Sequence, residues 1–182
     1  MLEKIKQSAK NLTTVRGITL AGIFIALHAV LGIFKIPFAL DNRITLTFAV
    51  SAAAGIVLGP VPAMIICGFG DILGFLLNPG GGSYFPGFTI SAMLGGLIYG
   101  LCFYKRGKKY FMLWTILAVF MVTLFVNIVL NTYWLSVMYQ KAYQVFAAMR
   151  IIKNLVVFPV HVIVIYAVFM LTEKTGIGKK YL

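Results

Sequence analysis

Residues 110–135 read YFMLWTILAVFMVTLFVNIVLNTYWL, an apolar run without a single charged residue. A helix rises about 1.5 Å per residue, so this run is longer than the ~20 residues that cross a hydrocarbon core of ~30 Å. The whole chain has the same character, with 61% hydrophobic residues and only 11% charged residues. This leaves too little polar surface for a soluble globule, and the sequence therefore predicts an integral membrane protein.

Six apolar stretches of roughly membrane-spanning length predict an all-α protein built as a six-helix transmembrane bundle. The second is short, and the fifth, quoted above, is long enough to tilt or to project beyond the bilayer. No linker or low-complexity run divides the chain, so we expect residues 1–182 to form a single membrane domain. The predicted spans are about 17–36, 44–59, 61–77, 88–104, 110–135 and 151–172.

The distribution of basic residues predicts the orientation. An even number of spans places both termini on one side, and the positive-inside rule assigns that side to the cytoplasm. The loops at 35–43, 78–87 and 136–150 are then external, and the net charge of +12 reflects topology and gives no reason to expect nucleic-acid binding. Eleven of the sixteen basic residues lie on the predicted cytoplasmic side: Lys4, Lys6, Lys10, Arg16, Lys105, Arg106, Lys108, Lys109, Lys174, Lys179 and Lys180.

The segment 1–16 is predicted to be amphipathic. It places Leu2, Ile5, Ala9 and Leu12 at helical spacing among lysines. This pattern suits a short helix that lies in the cytoplasmic headgroup layer.

Arg150 and Lys153 lie three residues apart at the start of the sixth apolar stretch, with Asn154 beside them. At helical spacing the two cations face the same way. Cations are costly in or beside hydrocarbon, so such a pair indicates a water-filled cavity, a headgroup layer or an anionic ligand. An anion-binding pocket is the first hypothesis.

Asp71 is the only acidic residue within a predicted span. One interpretation is an ion pair or a set of hydrogen bonds that closes the bundle. The other is a ligand site, because a carboxylate can accept two hydrogen bonds from an amino-heterocycle with adjacent N–H groups.

The external segment 78–87, NPGGGSYFPG, cannot form a helix, because prolines interrupt it at both ends and its glycines have no preferred conformation. It is either a tight connection between two spans or a mobile lid. In the second case the rings of Tyr84 and Phe85 could stack on a flat ligand.

The fifth span ends in polar and aromatic residues, and Asn127, Asn131 and Trp134 share one helical face. The asparagines can bond to a neighbouring helix, and the tryptophan can belong to an interfacial aromatic belt. The same face can instead line a pocket.

Several functional classes are disfavoured by the residues present. His28 and His161 stand alone in apolar runs, which favours packing or interhelical bonding and predicts no metal site. Paired carboxylates, a Ser-His-acid set and a Walker motif are missing from the sequence, so we expect neither an enzyme nor a cofactor. Any ATP-driven transport must then use another chain.

The first span carries small residues at Gly22, Ala26 and Ala29. Such a stripe lets two helices approach closely, either within the bundle or between this chain and a partner.

Nearly the whole chain resembles the S component of an energy-coupling factor (ECF) vitamin transporter, and most closely the folate-specific type. The last two of the segments that carry the resemblance are the more specific to the folate branch. The segments are Ile18 to Gly32, Gly70-Asp71-Ile72-Leu73-Gly74, Tyr84-Phe85-Pro86-Gly87-Phe88-Thr89, Gly95-Gly96-Leu97-Ile98-Tyr99-Gly100, Asn131-Thr132-Tyr133-Trp134-Leu135 and Arg150-Ile151-Ile152-Lys153-Asn154.

The resemblance implies a six-helix substrate-binding subunit of a bacterial plasma membrane, with the fold of the riboflavin and thiamine S components (RibU and ThiT) and a pocket near the external face. It also implies that Gly22, Ala26 and Ala29 contact a transmembrane coupling subunit (EcfT). Two cytoplasmic ATPases (EcfA and EcfA') would supply the energy, and the S component would topple in the membrane to deliver its ligand.

The resemblance implies that folate is the ligand and that the candidate residues bind its different parts. Its flat pterin can stack on Tyr84, Phe85 or Trp134 and bond to Asp71 or the asparagines, and its glutamate carboxylates can pair with Arg150 and Lys153. Three alternatives stay open: an S component for another flat vitamin or heterocyclic precursor, a stand-alone proton-coupled carrier centred on Asp71, and a small membrane enzyme or structural subunit.

Overall fold

In a computed structural model, the chain is described over residues 2–34, 36–39, 42–79, 83–140 and 143–175. The regular secondary structure of these residues is helical, as predicted, apart from one short antiparallel hairpin between the second and third helices. The helices are α1 (Leu2–Asn11), α2 (Val15–Ile33), α3 (Thr47–Val57), α4 (Pro60–Leu77), α5 (Pro86–Phe103), α6 (Phe111–Met121), α7 (Asn131–Tyr139) and α8 (Tyr143–Lys174), and a π-helix (Val122–Leu130) joins α6 to α7.

The hairpin lies in the segment that the sequence predicts as the first external loop. Strands β1 (Ile36–Ala39) and β2 (Asn42–Ile44) pair with Ile36 opposite Ile44. The pairing provides hydrogen-bond partners for backbone groups between two helices, and a proline is tolerated because a two-stranded sheet has only edge strands. Segments this short carry no hydropathy signal, so the sequence did not reveal them.

Five helical segments of the described chain are long and apolar enough to cross a membrane, namely Val15–Ile33, Pro60–Leu77, Pro86–Phe103, Lys108–Tyr139 and Arg150–Lys174. They match five of the six predicted spans. The remaining one, predicted at 44–59, is represented by α3, an apolar helix of only 11 residues. At about 1.5 Å per residue it is roughly half as long as the hydrocarbon core is thick.

The prediction that residues 136–150 form a loop is wrong, because most of them are helical. Helix α7 continues to Tyr139, where Gln140 adopts a left-handed conformation (φ of 51°) and ends it, and α8 begins at Tyr143. Hydropathy marks the part of a helix that suits hydrocarbon, and both helices extend beyond that part.

The π-helix is a second departure from the regular α-helix expected across residues 110–135. It spans nine residues, and the Asn131 N–H bonds to the Val126 carbonyl five residues earlier. Such i to i+5 bonding is rare and occurs often at functional sites. Nothing in the apolar sequence predicts it, because the choice between i+4 and i+5 bonding depends on packing.

Helix α1 packs on the turn between α3 and α4. The Ser8 side chain is fully buried, and its Oγ accepts the Val61 N–H at 3.1 Å. The Asn11 side chain donates to the Leu58 carbonyl at 2.9 Å. A side chain thus satisfies a first-turn amide of α4, so the predicted amphipathic helix is attached to the bundle by polar contacts as well as by its apolar face.

The core near this end of the bundle is aromatic. The rings of Tyr99 and Phe103 stack at 5.7 Å, Phe103 lies 5.1 Å from Phe111, and Phe111 stacks on Phe169 at 3.5 Å. The four residues are at most 4% exposed and join α5, α6 and α8. This leaves the opposite end of these helices free to enclose a cavity.

Glycines bring α5 into backbone contact with α3 and α4. A Cβ added at Gly100 would lie 2.3 Å from the Pro60 Cα, and one added at Gly55 would lie 2.8 Å from the Gly100 backbone nitrogen. By contrast, a Cβ at Gly95 meets nothing within 4 Å. Small residues thus set the helix separation here, as in other membrane bundles.

We expect Gly100→Ala to destabilise the protein strongly, because the new methyl group meets backbone atoms that cannot move aside. The matched control is Gly95→Ala in the same helix, which should leave stability unchanged or raise it by about 0.5–1 kcal/mol through helix propensity. Thermal unfolding of both variants in detergent checks this. Equal melting temperatures for the two variants would contradict the close α4–α5 packing.

Candidate functional site

A cavity of ≈ 450 Å³ lies among α2, α3, α4, α5, the π-helix, α7 and α8. Its volume falls within the range of pockets that enclose small organic ligands. Seven of the eight residues that the sequence predicts for ligand binding line it, namely Asp71, Tyr84, Phe85, Asn131, Arg150, Lys153 and Asn154.

Helix α8 provides the basic wall of the cavity. Arg150, Lys153, Asn154, Val157 and His161 all line it. Their spacing of three or four residues places them on one face of a helix. The cation pair recognised in the sequence therefore faces the cavity.

Arg150 is the most unusual residue of this wall, because its guanidinium is buried with only 8% of the residue exposed. Its Nη1 donates to the Asn127 carbonyl of the π-helix at 3.1 Å, and its buried Nε has no hydrogen-bond partner. In the described part of the chain, the one salt bridge joins Lys108 and Glu173, far along the sequence from Arg150. A buried cation without a carboxylate partner is costly, so the site has the properties of an anion-binding site.

Amide side chains share the cavity wall with Arg150. Asn154 is 5% exposed and its Nδ2 is unpartnered. The Asn131 Nδ2 lies 3.4 Å from the Asn127 Oδ1, and the Asn131 Oδ1 has no partner. Hydrogen-bonding capacity therefore remains around Arg150 for a polar ligand. Asn127 also lines the cavity, on the helix face that the sequence offers as a possible pocket wall.

The wall formed by α4 carries Asp71. Its Oδ2 accepts a hydrogen bond of 2.8 Å from the hydroxyl of Thr89, and that hydroxyl lies 2.8 Å from the Tyr84 OH. The polar bonds that the sequence suggested as one role for Asp71 are present. Because Asp71 also lines the cavity, they do not remove it as a ligand-binding candidate.

Aromatic rings complete the cavity wall. Tyr84 is 41% exposed, with its ring 5.3 Å from Phe75. Phe85 lies 5.9 Å from Phe88. All four residues line the cavity, so a flat ligand would meet ring faces there. Of the predicted lid, residues 80–82 lie outside the described residues.

Trp134 does not line the cavity, in contrast to the prediction. Its ring packs behind Phe85 at 5.7 Å, and its Nε1 donates to Ser91 at 3.2 Å. A Cβ on Gly87 would lie 2.5 Å from the indole, so the ring rests directly on the α5 backbone. The cavity-facing stripe of α7 follows Asn131 and Leu135, which turns Trp134 sideways towards α5.

The family described as the ECF transporter, substrate-specific component, matches residues 16–169 of this chain. The chain belongs to this family of S components. The protein is thus a membrane-embedded transporter subunit, and its family gives no reason to expect an enzyme.

Two relatives of the S component are folate transporters. It is 39% identical over 138 residues to the folate transporter FolT of Clostridium novyi (strain NT). This match covers 76% of this chain and 78% of the relative. It is 35% identical over 160 residues to the folate transporter FolT of Leuconostoc mesenteroides subsp. mesenteroides, with 83% of each chain covered.

A solved structure gives the same result for the fold. The crystal structure of FolT bound with folic acid matches the S component with a TM-score of 0.75 and 36% identity. The match covers 85% of this chain and 91% of that chain. The resemblance expected from the sequence motifs is thereby confirmed.

The small-residue stripe of the S component divides into two parts. Gly22 and Ala26 are exposed on α2, and a Cβ at Gly22 would meet nothing within 4 Å. Ala29 is only 2% exposed and packs against Gly74 of α4. Gly22 and Ala26 are four residues apart and share the exposed helix face, whereas Ala29 faces the bundle. Only Gly22 and Ala26 are therefore placed to contact a partner.

Two histidines that the sequence assigns to packing or interhelical bonding also belong to the cavity wall. His28 and His161 both line it, and the His161 ring lies 3.9 Å from that of Phe48. In isolation each histidine resembles a packing residue. Only the folded arrangement shows that both side chains belong to the same cavity.

Proposed function

We propose that this S component captures folate at the external face of the cell membrane for an ECF importer. The single observation that carries the proposal is Arg150, a buried guanidinium without a carboxylate partner in the described chain, on the wall of a ligand-sized cavity. A ligand anion would provide the partner that the protein does not. Folate carries two carboxylates, and Lys153 lines the cavity one helical turn further along.

The opposite walls suit the rest of such a ligand. The rings of Phe75, Phe85 and Phe88 offer faces on which a pterin can stack. Asp71 offers carboxylate oxygens to the adjacent N–H groups of an amino-heterocycle. The cavity therefore has aromatic and acidic walls that suit the pterin of folate and a cationic wall that suits its glutamate carboxylates. The names of the two relatives and of the solved structure support the same ligand.

The position of the cavity relative to the basic segments supports an orientation with the cavity at the external face. Its wall contains the end of α4 and the starts of α5 and α8, whereas α1 and the basic connection between α5 and α6 lie at the other ends of these helices. The positive-inside rule makes the basic end cytoplasmic, so the cavity faces outward. Helix α3 begins at the cavity with Thr47 and ends beside α1, which supports its role as a sixth, shortened span and a cytoplasmic location for both termini.

Coupling to transport is the part of the proposal that needs other chains. We infer that Gly22 and Ala26 form the close-approach surface for the coupling subunit EcfT, and that the ATPases EcfA and EcfA' drive toppling of the loaded S component. The exposed small residues support such a contact, because a partner helix can approach the α2 backbone closely there. Ala29 is left out because it is buried.

Titration of the purified protein with folic acid tests the function. The two tryptophans are Trp114 and Trp134, and Trp114 lies away from the cavity under the Arg106 guanidinium, at 3.6 Å. In a Trp114→Phe variant the emission therefore reports on Trp134, which contacts the cavity residue Phe85. We expect saturable quenching at nanomolar folic acid and none with riboflavin, thiamine or biotin.

Free N-acetyltryptophanamide provides the correction for light absorbed by each vitamin. Melting curves of the same samples add a readout that does not depend on fluorescence, since a ligand that binds only the folded state raises its stability. If folded protein shows neither quenching nor a thermal shift with folic acid, folate is not the ligand. The search would then move to other flat, anionic heterocycles.

A further inference from the structure

Thr89 lies behind the cavity wall and connects two residues that form it. It stands in the first turn of α5, is 7% exposed, and is absent from the lining of the cavity. Its hydroxyl donates to the Asp71 Oδ2 at 2.8 Å and lies 2.8 Å from the Tyr84 OH. One buried hydroxyl thus joins α4, α5 and the segment that precedes α5.

The direction of this hydrogen-bond chain follows from proton counting. A threonine hydroxyl has one hydrogen, and the hydrogen of Thr89 is directed to Asp71, which as a carboxylate can only accept. The second contact of the Thr89 oxygen must therefore be accepted from the Tyr84 OH. The chain runs from Tyr84 through Thr89 to Asp71, and both bonds direct positive hydrogen charge towards the carboxylate.

We propose that Thr89 is a positioning residue that holds the Asp71 carboxylate in the orientation that recognises the amino-heterocycle of the ligand. This proposal rests on the proposed function. A hydrogen bond from a well-fixed donor restricts rotation of an aspartate carboxylate about its terminal bond, which lowers the cost of ordering it when a ligand binds. The bond from Thr89 to the Asp71 Oδ2 therefore helps to set the plane of the carboxylate in advance. A carboxylate has about four lone-pair sites, so the bond from Thr89 does not exclude a bond from a ligand.

The fold supports this role at both ends of the bond. Helices α4 and α5 meet at glycine contacts, where a Cβ on Gly96 would lie 2.5 Å from the Ala63 carbonyl oxygen. Thr89 therefore stands on a helix whose position relative to Asp71 is well determined. The N-terminal turn of a helix also carries partial positive charge, which favours a carboxylate beside it.

The experiment compares two ligands that differ only in the part that Asp71 would recognise. Folic acid contains the pterin, and p-aminobenzoyl-glutamate lacks it but keeps both carboxylates for Arg150 and Lys153. Affinities are measured by the fluorescence titration above for folic acid and by competition for the fragment. We expect Thr89→Val to weaken folic acid about tenfold or more and the fragment less than about twofold, because a bond to a charged group is lost on the pterin side only.

Thr89→Ser keeps the hydroxyl and should restore most of the folic acid affinity. An equal loss for both ligands in Thr89→Val would show a role in the fold alone and overturn the proposal, as would an unchanged affinity for folic acid. Failure of the unmodified protein to bind folic acid would instead overturn the proposed function, and the inference with it. The two failures are therefore distinguishable.

A second variant keeps the test decisive if Thr89→Val does not fold. Tyr84→Phe retains the ring against Phe75 and removes only the hydroxyl that donates to Thr89. We expect a smaller loss of about threefold for folic acid and none for the fragment, since the bond lost is one step removed from the carboxylate. An unchanged folic acid affinity would contradict the chain from Tyr84 to Asp71.

Discussion

Arg150→Ala is expected to lower the affinity for folic acid by at least tenfold while the protein remains folded. The guanidinium is buried and unpaired in the described chain, so the ligand carboxylate would be its partner in the complex. Removing one member of a buried charge pair costs roughly 2–5 kcal/mol in comparable interfaces. The loss appears in the dissociation constant from the fluorescence titration, or from calorimetry if quenching is weak.

The stability of the ligand-free variant gives a second, independent outcome. A buried cation without a partner destabilises a protein, so Arg150→Ala should melt no lower than the unmodified protein when no ligand is present. If Arg150 served mainly to bond the Asn127 carbonyl, the variant would melt lower and bind folic acid as before. That combination would contradict the assignment of Arg150 to the ligand.

Two further variants test whether binding depends on the shape of the guanidinium and on the position of the positive charge. Arg150→Lys keeps a positive charge but loses the planar fork that binds a carboxylate with two parallel bonds, so we expect an intermediate affinity. Arg16→Ala removes an exposed arginine near the start of α2 and should not change binding. A similar loss in Arg16→Ala would point to general electrostatic attraction instead of a specific site.

The second large effect is expected on transport, with binding unchanged. The double variant Gly22→Leu and Ala26→Leu adds bulk to an exposed face of α2, where the closest approach of another helix is proposed. Loss of close helix contact should reduce folate uptake by roughly tenfold or more in cells that also produce the coupling subunit and ATPases. Binding to the purified variant should not change, because neither position lines the cavity.

Gly22→Ala is the matched control for this prediction. It keeps a small residue at each end of the four-residue spacing, so we expect uptake close to that of the unmodified protein. Full uptake by the double leucine variant would remove this face of α2 as the coupling surface. Loss of binding together with uptake would show instead that the substitutions damage the fold.

The sequence could predict those residues of the candidate site that are unusual among their neighbours in the chain. Arg150 and Lys153 stand out because cations are rare next to long apolar runs, and Asp71 stands out as the only acid within a span. Thr89 carries no such signal, since a threonine in a membrane helix commonly bonds to a neighbouring helix, and for Asn127 the sequence leaves such bonding and a pocket role equally open. Their roles depend on which side chain lies opposite.

Trp134 and Ala29 show the limit of helical periodicity. Both belong to patterns that place them on a face with other candidates, yet each lies to the side of that face in the bundle. A pattern of three and four residues defines a stripe about 100° wide, and it does not say which neighbour each edge of the stripe meets. Trp134 meets α5 at Gly87 and Ser91, and Ala29 meets α4 at Gly74.

The sequence by itself determined that this chain is a helical membrane protein with two cations on one helix face, because hydropathy and charge act through residue type and spacing alone. Only the tertiary structure decided that α3 has just 11 residues, that residues 122–130 form a π-helix, and that Arg150, Asp71 and the aromatic rings line one cavity. Those features arise from contacts between residues far apart in the chain. The energies of such contacts depend on atoms that are brought together only when the helices pack.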